Sequence, residues 1–217
     1  MQRPVGSDRL DVVLAHFVPF LVASVLVILI PGPDTLVVLR NALVAGKRTA
    51  ARTALGVLTG LSVWVVAAGL GVTAILRASH DGYLLLRVAG AIYLTYFGWQ
   101  ALRSRALGQA VADPAPKRSL VGRGYRAGLM TDLLNPKVGV FFMTFMPAFI
   151  PRGGPVAAST FGMGAVFVLL TAVYFAIMLA FVQRLLGWLR NERHRRRLNR
   201  ATGVVLIGFG VRLAVEG

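Results

Sequence analysis

The chain has 217 residues, of which 56% are hydrophobic and only 15% are charged, and its mean hydropathy is +0.69. A soluble domain would carry about a quarter charged residues, so this composition predicts an integral membrane protein. The 24 Lys and Arg residues outnumber the 8 Asp and Glu residues, but cytoplasmic loops of membrane proteins collect such cations, so nucleic acid is not an expected partner. The absence of cysteine excludes disulfides, thiolate metal sites and thiol catalysis.

Six apolar segments predict six transmembrane helices and therefore an all-α fold class. In chain order they cover residues 15–45, 53–76, 83–101, 124–150, 156–183 and 200–215. The first segment has the outline of a signal peptide, but no small-x-small cleavage pattern follows it, so we interpret it as a retained span. The polar interruption at 102–123 predicts a cytoplasmic linker between two three-helix halves, residues 1–101 and 124–217.

The Lys and Arg residues favour one side of the membrane. The stretches 40–52, 103–126 and 184–200, which belong to the first, third and fifth connections, hold 17 of the 24, and the other side receives six. Both termini are therefore predicted to lie outside the cytoplasm of an inner-membrane protein. The arginines between 193 and 200 are expected to contact anionic lipid headgroups. Since three spans per half is an odd number, any internal repeat must be an inverted one.

Helix breakers interrupt the first helix of each half, in IPGPD at 30–34 and in LLNPK at 133–137. A proline lacks an N–H and clashes with the carbonyl four residues earlier, while a glycine lets the chain open further. At membrane depth, freed backbone groups are tolerated only against protein or a wet cavity, and each break also creates a helix N-terminus that can hold an anion. A simple kink is the alternative interpretation. The residues that form the two breaks are Pro31, Gly32, Pro33 and Pro136.

Three ionisable residues, Asp34, Asp132 and Lys137, are predicted to lie deep in the membrane, away from the ends of the spans. A lysine near the bilayer centre costs on the order of 3 kcal/mol, so a partner carboxylate or a bound anionic group must offset it. Structural alternatives exist, since Asp34 suits the first turn of a helix and Asn135 is a good N-cap before Pro136. We hypothesise that Asp34, Asp132, Asn135 and Lys137 bind a small zwitterion, and that a carboxyl group carries a proton as the coupling ion.

These motifs resemble the LysE/RhtB family of bacterial amino-acid exporters. The resemblance rests on PGPD, the following RNALVAGKRTAARTALGVLTG at 40–60, and GLMTDLLNPKVGVFFMTFMPAFI at 128–150. It implies an inner-membrane exporter of lysine and arginine in one branch, or of threonine, homoserine and homoserine lactone in another, without revealing the branch. It also implies a pair of three-helix repeats. The positions that match the family's motifs are Asp34, Asn135, Pro136 and Lys137.

Rival functions are less well supported by the residues. An intramembrane enzyme would need a nucleophile and base or a metal set, and the spans contain no cysteine, no embedded histidine and no HExxH, so no enzyme, metal or cofactor is expected. A non-transporting membrane scaffold is the other alternative. The patterns Gly56-x-x-x-Gly60 and Gly124-x-x-x-Gly128 favour helix packing within the chain, with dimerisation into a homo-oligomer as the second interpretation.

Overall fold

The computed structural model describes residues 5–78, 80–103, 122–150, 155–189 and 191–215, and this part of the chain is helical, with no β-strand. The α-helices, numbered here along the chain, are α1 (Val5–Leu29), α2 (Pro33–Ala78), α3 (His80–Arg103), α4 (Tyr125–Leu133), α5 (Pro136–Val140), α6 (Val156–Ala180), α7 (Val182–Leu189) and α8 (Glu192–Val215). A π-helical segment, Phe141–Phe145, and a 3₁₀ turn, Met146–Phe149, follow α5. The all-α prediction is confirmed, whereas residues 104–121 of the predicted linker lie outside the described residues.

Helix α2 consists of two legs that fold back on each other at Gly46, whose φ of 80° and ψ of 171° are not helical. If α2 were straight, Asp34 and Gly60 would lie about 39 Å apart at 1.5 Å per residue. Instead, Asp34 accepts a hydrogen bond from Asn135, and Gly60 lies against Asp132. Since Asp132 and Asn135 are only three residues apart, Asp34 and Gly60 must lie near each other. The chain therefore reverses at Gly46, a conformation that suits glycine because it has no Cβ.

Both predicted helix breaks are present. The first separates α1, which ends at Leu29, from α2, which begins at Pro33, and the second separates α4 from α5, which begins at Pro136. A proline suits the first helical position because no N–H is needed there. The N–H of Leu36 donates to the carbonyl of Gly32 at 3.0 Å, so regular helix resumes directly after the first break.

Several helix ends differ from the predicted segment ends. Helix α8 begins at Glu192 rather than near residue 200, and α1 begins at Val5 rather than near residue 15. The charged start of α8 is helical because Glu192 suits the first turn and pairs with Arg196 one turn later, at 2.7 Å. The predicted connection at 46–52 is likewise helical after Gly46. Hydropathy thus located the apolar part of each helix, not its termini.

Close backbone contacts hold α4 against the second leg of α2. A Cβ added to Gly56 would collide with the carbonyl of Tyr125, and one added to Gly128 would collide with the carbonyl of Thr53. Helices α3 and α8 approach through glycines in the same way. Small residues let helix backbones meet, so the predicted packing within the chain is confirmed at these positions.

The outer surface is apolar, as expected for contact with lipid. Among the described residues, the stretches Pro33–Gly71 and Val156–Ala180 are long and apolar enough to cross a membrane, and shorter apolar helices cover His16–Leu29 and Pro136–Phe149. Large side chains such as Leu70, Ile92 and Leu169 are more than half exposed. A soluble monomer rarely exposes so much apolar surface. The buried core instead contains an aromatic cluster of the π-helical segment and α6, whose Phe141 and Phe167 lie beside Asp34 and Lys137 of the two breaks.

Candidate functional site

Asn135 joins the two breaks. Its Nδ2 donates a 2.6 Å hydrogen bond to Oδ2 of Asp34, 101 residues earlier. Its Oδ1 accepts from the backbone N–H of Lys137 at 3.1 Å, which is the N-cap of α5 predicted from the sequence. The same side chain, only 1% exposed, therefore caps one helix and holds the carboxylate of the other.

Lys137 supplies the donor that the first break lacks. Its Nζ donates to the carbonyls of Val27 at 3.2 Å and Ile30 at 3.1 Å, and the side chain is only 7% exposed. The Val27 carbonyl is the one that Pro31 leaves without a helical partner. Gly32 makes room for this contact, since a Cβ there would lie 3.2 Å from Nζ.

From the sequence, a carboxylate or a bound anion is expected to offset the charge of Lys137. In the structure the hydrogen bonds of Nζ go to backbone carbonyls instead. Asp34 and Asp132 nevertheless lie close enough to stabilise the ammonium electrostatically. The four residues predicted to form a site are therefore brought together, with Lys137 bonded to the first break and Asn135 bonded to Asp34.

Asp132 is fully buried, and its side chain points at Gly60 in the second leg of α2. Neither of its carboxyl oxygens has a hydrogen-bond partner among the described residues, and the same holds for Oδ1 of Asp34. Even so, the two carboxyl groups lie within hydrogen-bonding reach of each other. Ionised carboxylates only accept hydrogen bonds, so this contact lacks a donor unless one group carries a proton.

Trp64 was missed by the sequence analysis. Its indole N–H donates to the backbone carbonyl of Asp132 at 3.3 Å, and the N–H of Asn135 donates to the same carbonyl at 2.9 Å. Pro136 cannot make this bond, because it has no N–H. Each break thus has a side chain that satisfies the carbonyl freed by its proline. The signal for Trp64 was its position one helical turn after Gly60, on the face that meets Asp132.

A small cavity whose wall includes Asp34 and Lys137 lies at the centre of this arrangement. It has a volume of about 30 Å³ and is lined by Gly32, Asp34, Lys137, Phe141 of the π-helical segment and aromatic rings of α6. This volume suits one or two water molecules, not an amino acid. Thr35 and Tyr174, whose hydroxyl groups lie within hydrogen-bonding reach, also line the cavity and were missed in the sequence.

A larger cavity of about 480 Å³ lies on the other side of Thr35 and Tyr174, between α1, the first leg of α2 and α6. Its walls are almost entirely apolar. Thr35 and Tyr174 line both cavities and therefore form part of the wall between the small cavity and this apolar groove. In the described part of the chain, no group of three or more His, Asp or Glu side chains lies close enough together to hold a metal ion.

A helical membrane protein whose broken helices meet around buried charges has the architecture of a solute transporter. The chain belongs to the LysE type translocator family, which matches residues 25–217. This match confirms the resemblance inferred from PGPD and the stretches 40–60 and 128–150.

Characterised and uncharacterised proteins are similar to the chain over most of their length. An uncharacterized membrane protein of Pseudomonas aeruginosa is 32% identical over 93% of this chain and 95% of its own. The threonine efflux protein of Escherichia coli is 28% identical over 94% of this chain and 99% of its own. The homoserine/homoserine lactone efflux protein of Salmonella typhi is 27% identical over 90% of this chain and 94% of its own. No solved structure matches the chain.

Proposed function

We propose that the protein exports small amino acids or their derivatives across the bacterial inner membrane, driven by proton entry. The observation that carries this proposal is the convergence of Asp34, Asp132 and Lys137 at two helix breaks inside an apolar helical protein. Buried ionisable groups in such a protein are expensive and mark solute or ion pathways. The efflux functions named for the threonine and homoserine relatives support the same substrate class.

The proposed binding mode follows from the closed contacts. A substrate ammonium replaces the Asn135 amide at Asp34, with Asp132 beside it, and a substrate carboxylate replaces the two backbone carbonyls at Lys137. Charge-assisted hydrogen bonds of this kind are about twice as strong as neutral ones. Because the cavity is too small for an amino acid in this conformation, binding requires the two breaks to move apart. Alternating access then exposes the site to one side of the membrane at a time.

We further propose that residues 1–101 and 124–217 are inverted three-helix repeats, six spans in all. Both halves begin with a broken helix. The second span of the first half, which is the second leg of α2, packs against α6, the second span of the other half. The third spans of the two halves, α3 and α8, also pack together. A two-fold relation between the halves would produce such pairs.

Topology can be tested with single cysteines because the chain has none of its own. Glu192→Cys, at the basic start of α8, should react with an impermeant thiol reagent only from the cytoplasmic side. Ala158→Cys, at the exposed start of α6, should react only from the opposite side. Labelling of both residues from the same side would contradict the six-span arrangement.

The exporter function is tested by efflux from intact cells. Cells that express the protein are loaded with threonine, homoserine or lysine as dipeptides, and export of the free amino acid is followed. We expect Asp34→Asn and Lys137→Ala to lose export, while Glu192→Gln, which changes an exposed acidic residue outside the site, keeps it. Unchanged efflux in both site variants would refute the assigned roles. A harmless or stabilising Asp34→Asn is the result that a non-transporting scaffold would give.

A further inference from the structure

The buried carboxyl pair has no donor in its ionised form. Asp132 is fully buried with both oxygens unpartnered, and Asp34 has a donor, Asn135, on only one of its oxygens. Asn135 brings the two carboxyl groups close enough to interact, since it donates its Nδ2 to Asp34 and its backbone N–H to the carbonyl of Asp132. Such a contact is favourable only when one group is a neutral acid that donates to the other.

We propose that Asp34 and Asp132 share one proton, and that this pair is the proton-binding site of the transporter. The proposal rests on the exporter function proposed above. The charge balance of the site supports it: two ionised carboxylates would face one ammonium, Lys137, whereas a pair that holds one proton leaves the buried cluster neutral. Like charges that share a buried site do not both ionise, because each disfavours the charged form of the other.

The surroundings of the pair contain few other groups that could change this balance. The backbone carbonyls of Val27 in α1 and Ile30 in the first break accept from Lys137, and the second leg of α2 presents Gly60 and the indole of Trp64 to Asp132. Helix α6 contributes the Tyr174 hydroxyl, which faces Thr35. Among the described residues, the charge of the site is therefore set by the carboxyl pair and Lys137.

A shared proton gives a simple route to coupling. An ammonium group that binds between the two carboxylates takes the place of the proton, because both stabilise the same pair of negative groups. Arrival of the substrate from the cytoplasm then releases one proton inward, and a proton that enters from outside releases the ammonium outward. One positive charge replaces another at the pair, so substrate and proton compete and one proton moves for each substrate molecule.

The shared proton is tested directly by infrared spectroscopy of the purified full-length protein in lipid at neutral pH. The C=O stretch of a protonated carboxyl group is separate from the bands of carboxylates. We expect a band from one protonated carboxyl group in the native protein, and its loss in both Asp132→Asn and Asp34→Asn. Glu192→Gln, which removes an exposed carboxylate, should keep the band. Absence of the band in the native protein, or its survival in either site variant, would overturn the proposal.

Asn at 132 is an informative replacement because its amide can donate to Asp34 as the neutral acid would, yet cannot give up a proton. The variant is therefore expected to fold, as judged by its helicity and its monodisperse elution in detergent. A variant that failed this check would leave the infrared comparison to Asp34→Asn, with the same expected loss of the band.

Transport in proteoliposomes then separates the coupling proposal from the proposed function. Uptake of labelled threonine, homoserine and lysine is measured with and without a pH gradient, and the ratio of the two rates is compared. The native ratio should exceed one, and that of Asp132→Asn should fall to one, whatever its absolute rate. An undiminished ratio in the variant would overturn the proposal. A native protein that moved none of the three amino acids would instead contradict the proposed function, while the infrared band would still decide whether the proton is shared.

Discussion

Gly60 is the point where α4 and the second leg of α2 meet at the carboxyl group of Asp132. A Cβ at this position would lie 2.8 Å from Cβ and 2.9 Å from Cγ of Asp132, and still closer to Oδ2. Rotation of the Asp132 side chain cannot relieve the contact, because Cβ is fixed to the backbone of α4. Nor can α4 move outward freely, since Gly56 and Gly128 already hold its backbone against that of α2.

The replacement Gly60→Ala should therefore destabilise the protein. Overpacking of a filled interior costs about 1–3 kcal/mol. The better helix propensity of alanine offsets roughly 0.5–1 kcal/mol of this. We expect a net loss of about 1–2 kcal/mol, which corresponds to a fall in Tm of about 2–8 °C for a chain of this length. Export should fall as well, because the strain is directed at the carboxyl group.

Two other glycines serve as matched controls. A Cβ at Gly162 in α6 or at Gly208 in α8 would meet nothing within 4 Å. Alanine at these positions should leave the protein as stable as the native one, or up to about 1 kcal/mol more stable, with full export. Thermal unfolding in detergent and efflux from cells check both expectations. If Gly60→Ala were as stable and as active as Gly162→Ala, the argument that α4 is fixed at this contact would be wrong.

Three further replacements probe individual hydrogen bonds of the site. Lys137→Met leaves the two carbonyls of the first break without a donor, at about 1–3 kcal/mol each, so we expect unfolding in detergent at a clearly lower temperature than for the native protein. Trp64→Phe keeps an aromatic ring but removes the donor to Asp132, which should cost about 0.5–1.5 kcal/mol in the same assay and reduce efflux. Tyr174→Phe removes the hydroxyl that faces Thr35 and should cost a similar amount; an unchanged Tm would show that this contact does not hold α6 to α2.

The breaks could be predicted from the sequence because proline imposes them wherever it stands in a helix. Their meeting was also within reach, since a buried lysine requires partners and few polar residues lie inside the spans. The partners of Lys137 were not predictable. Whether Nζ reaches a carboxylate or a carbonyl depends on how closely α5 approaches the first break, which Gly32 permits and no local pattern encodes.

Trp64 and Tyr174 escaped the sequence analysis for a different reason. In a soluble protein, an apolar stripe marks the buried face of a helix. Here both the lipid-facing and the buried faces are apolar, so periodicity does not tell which side of α2 or α6 points inward. A better signal in such helices is a pair of polar or small residues about one turn apart, such as Gly60 with Trp64 and Thr171 with Tyr174.

The contacts that close the site use the same groups that the substrate is proposed to use. Asp34 is held by Asn135, so a substrate ammonium must displace the amide before it can bind. When only a fraction of the molecules is open, the apparent affinity is reduced by that fraction. Weakening the closing contact, without harm to the binding groups, should therefore make the substrate bind more tightly.

Asn135→Ser provides this separation. Serine remains a good N-cap for α5, but its shorter side chain cannot reach Asp34. Loss of a hydrogen bond to a charged group, worth about 1.5–3 kcal/mol, should shift the protein towards the open state. We expect the KM for export of threonine to fall by about ten- to a hundredfold, since each 1.4 kcal/mol corresponds to a factor of ten. A higher KM in Asn135→Ser would contradict this reasoning and would show that Asn135 binds the substrate itself.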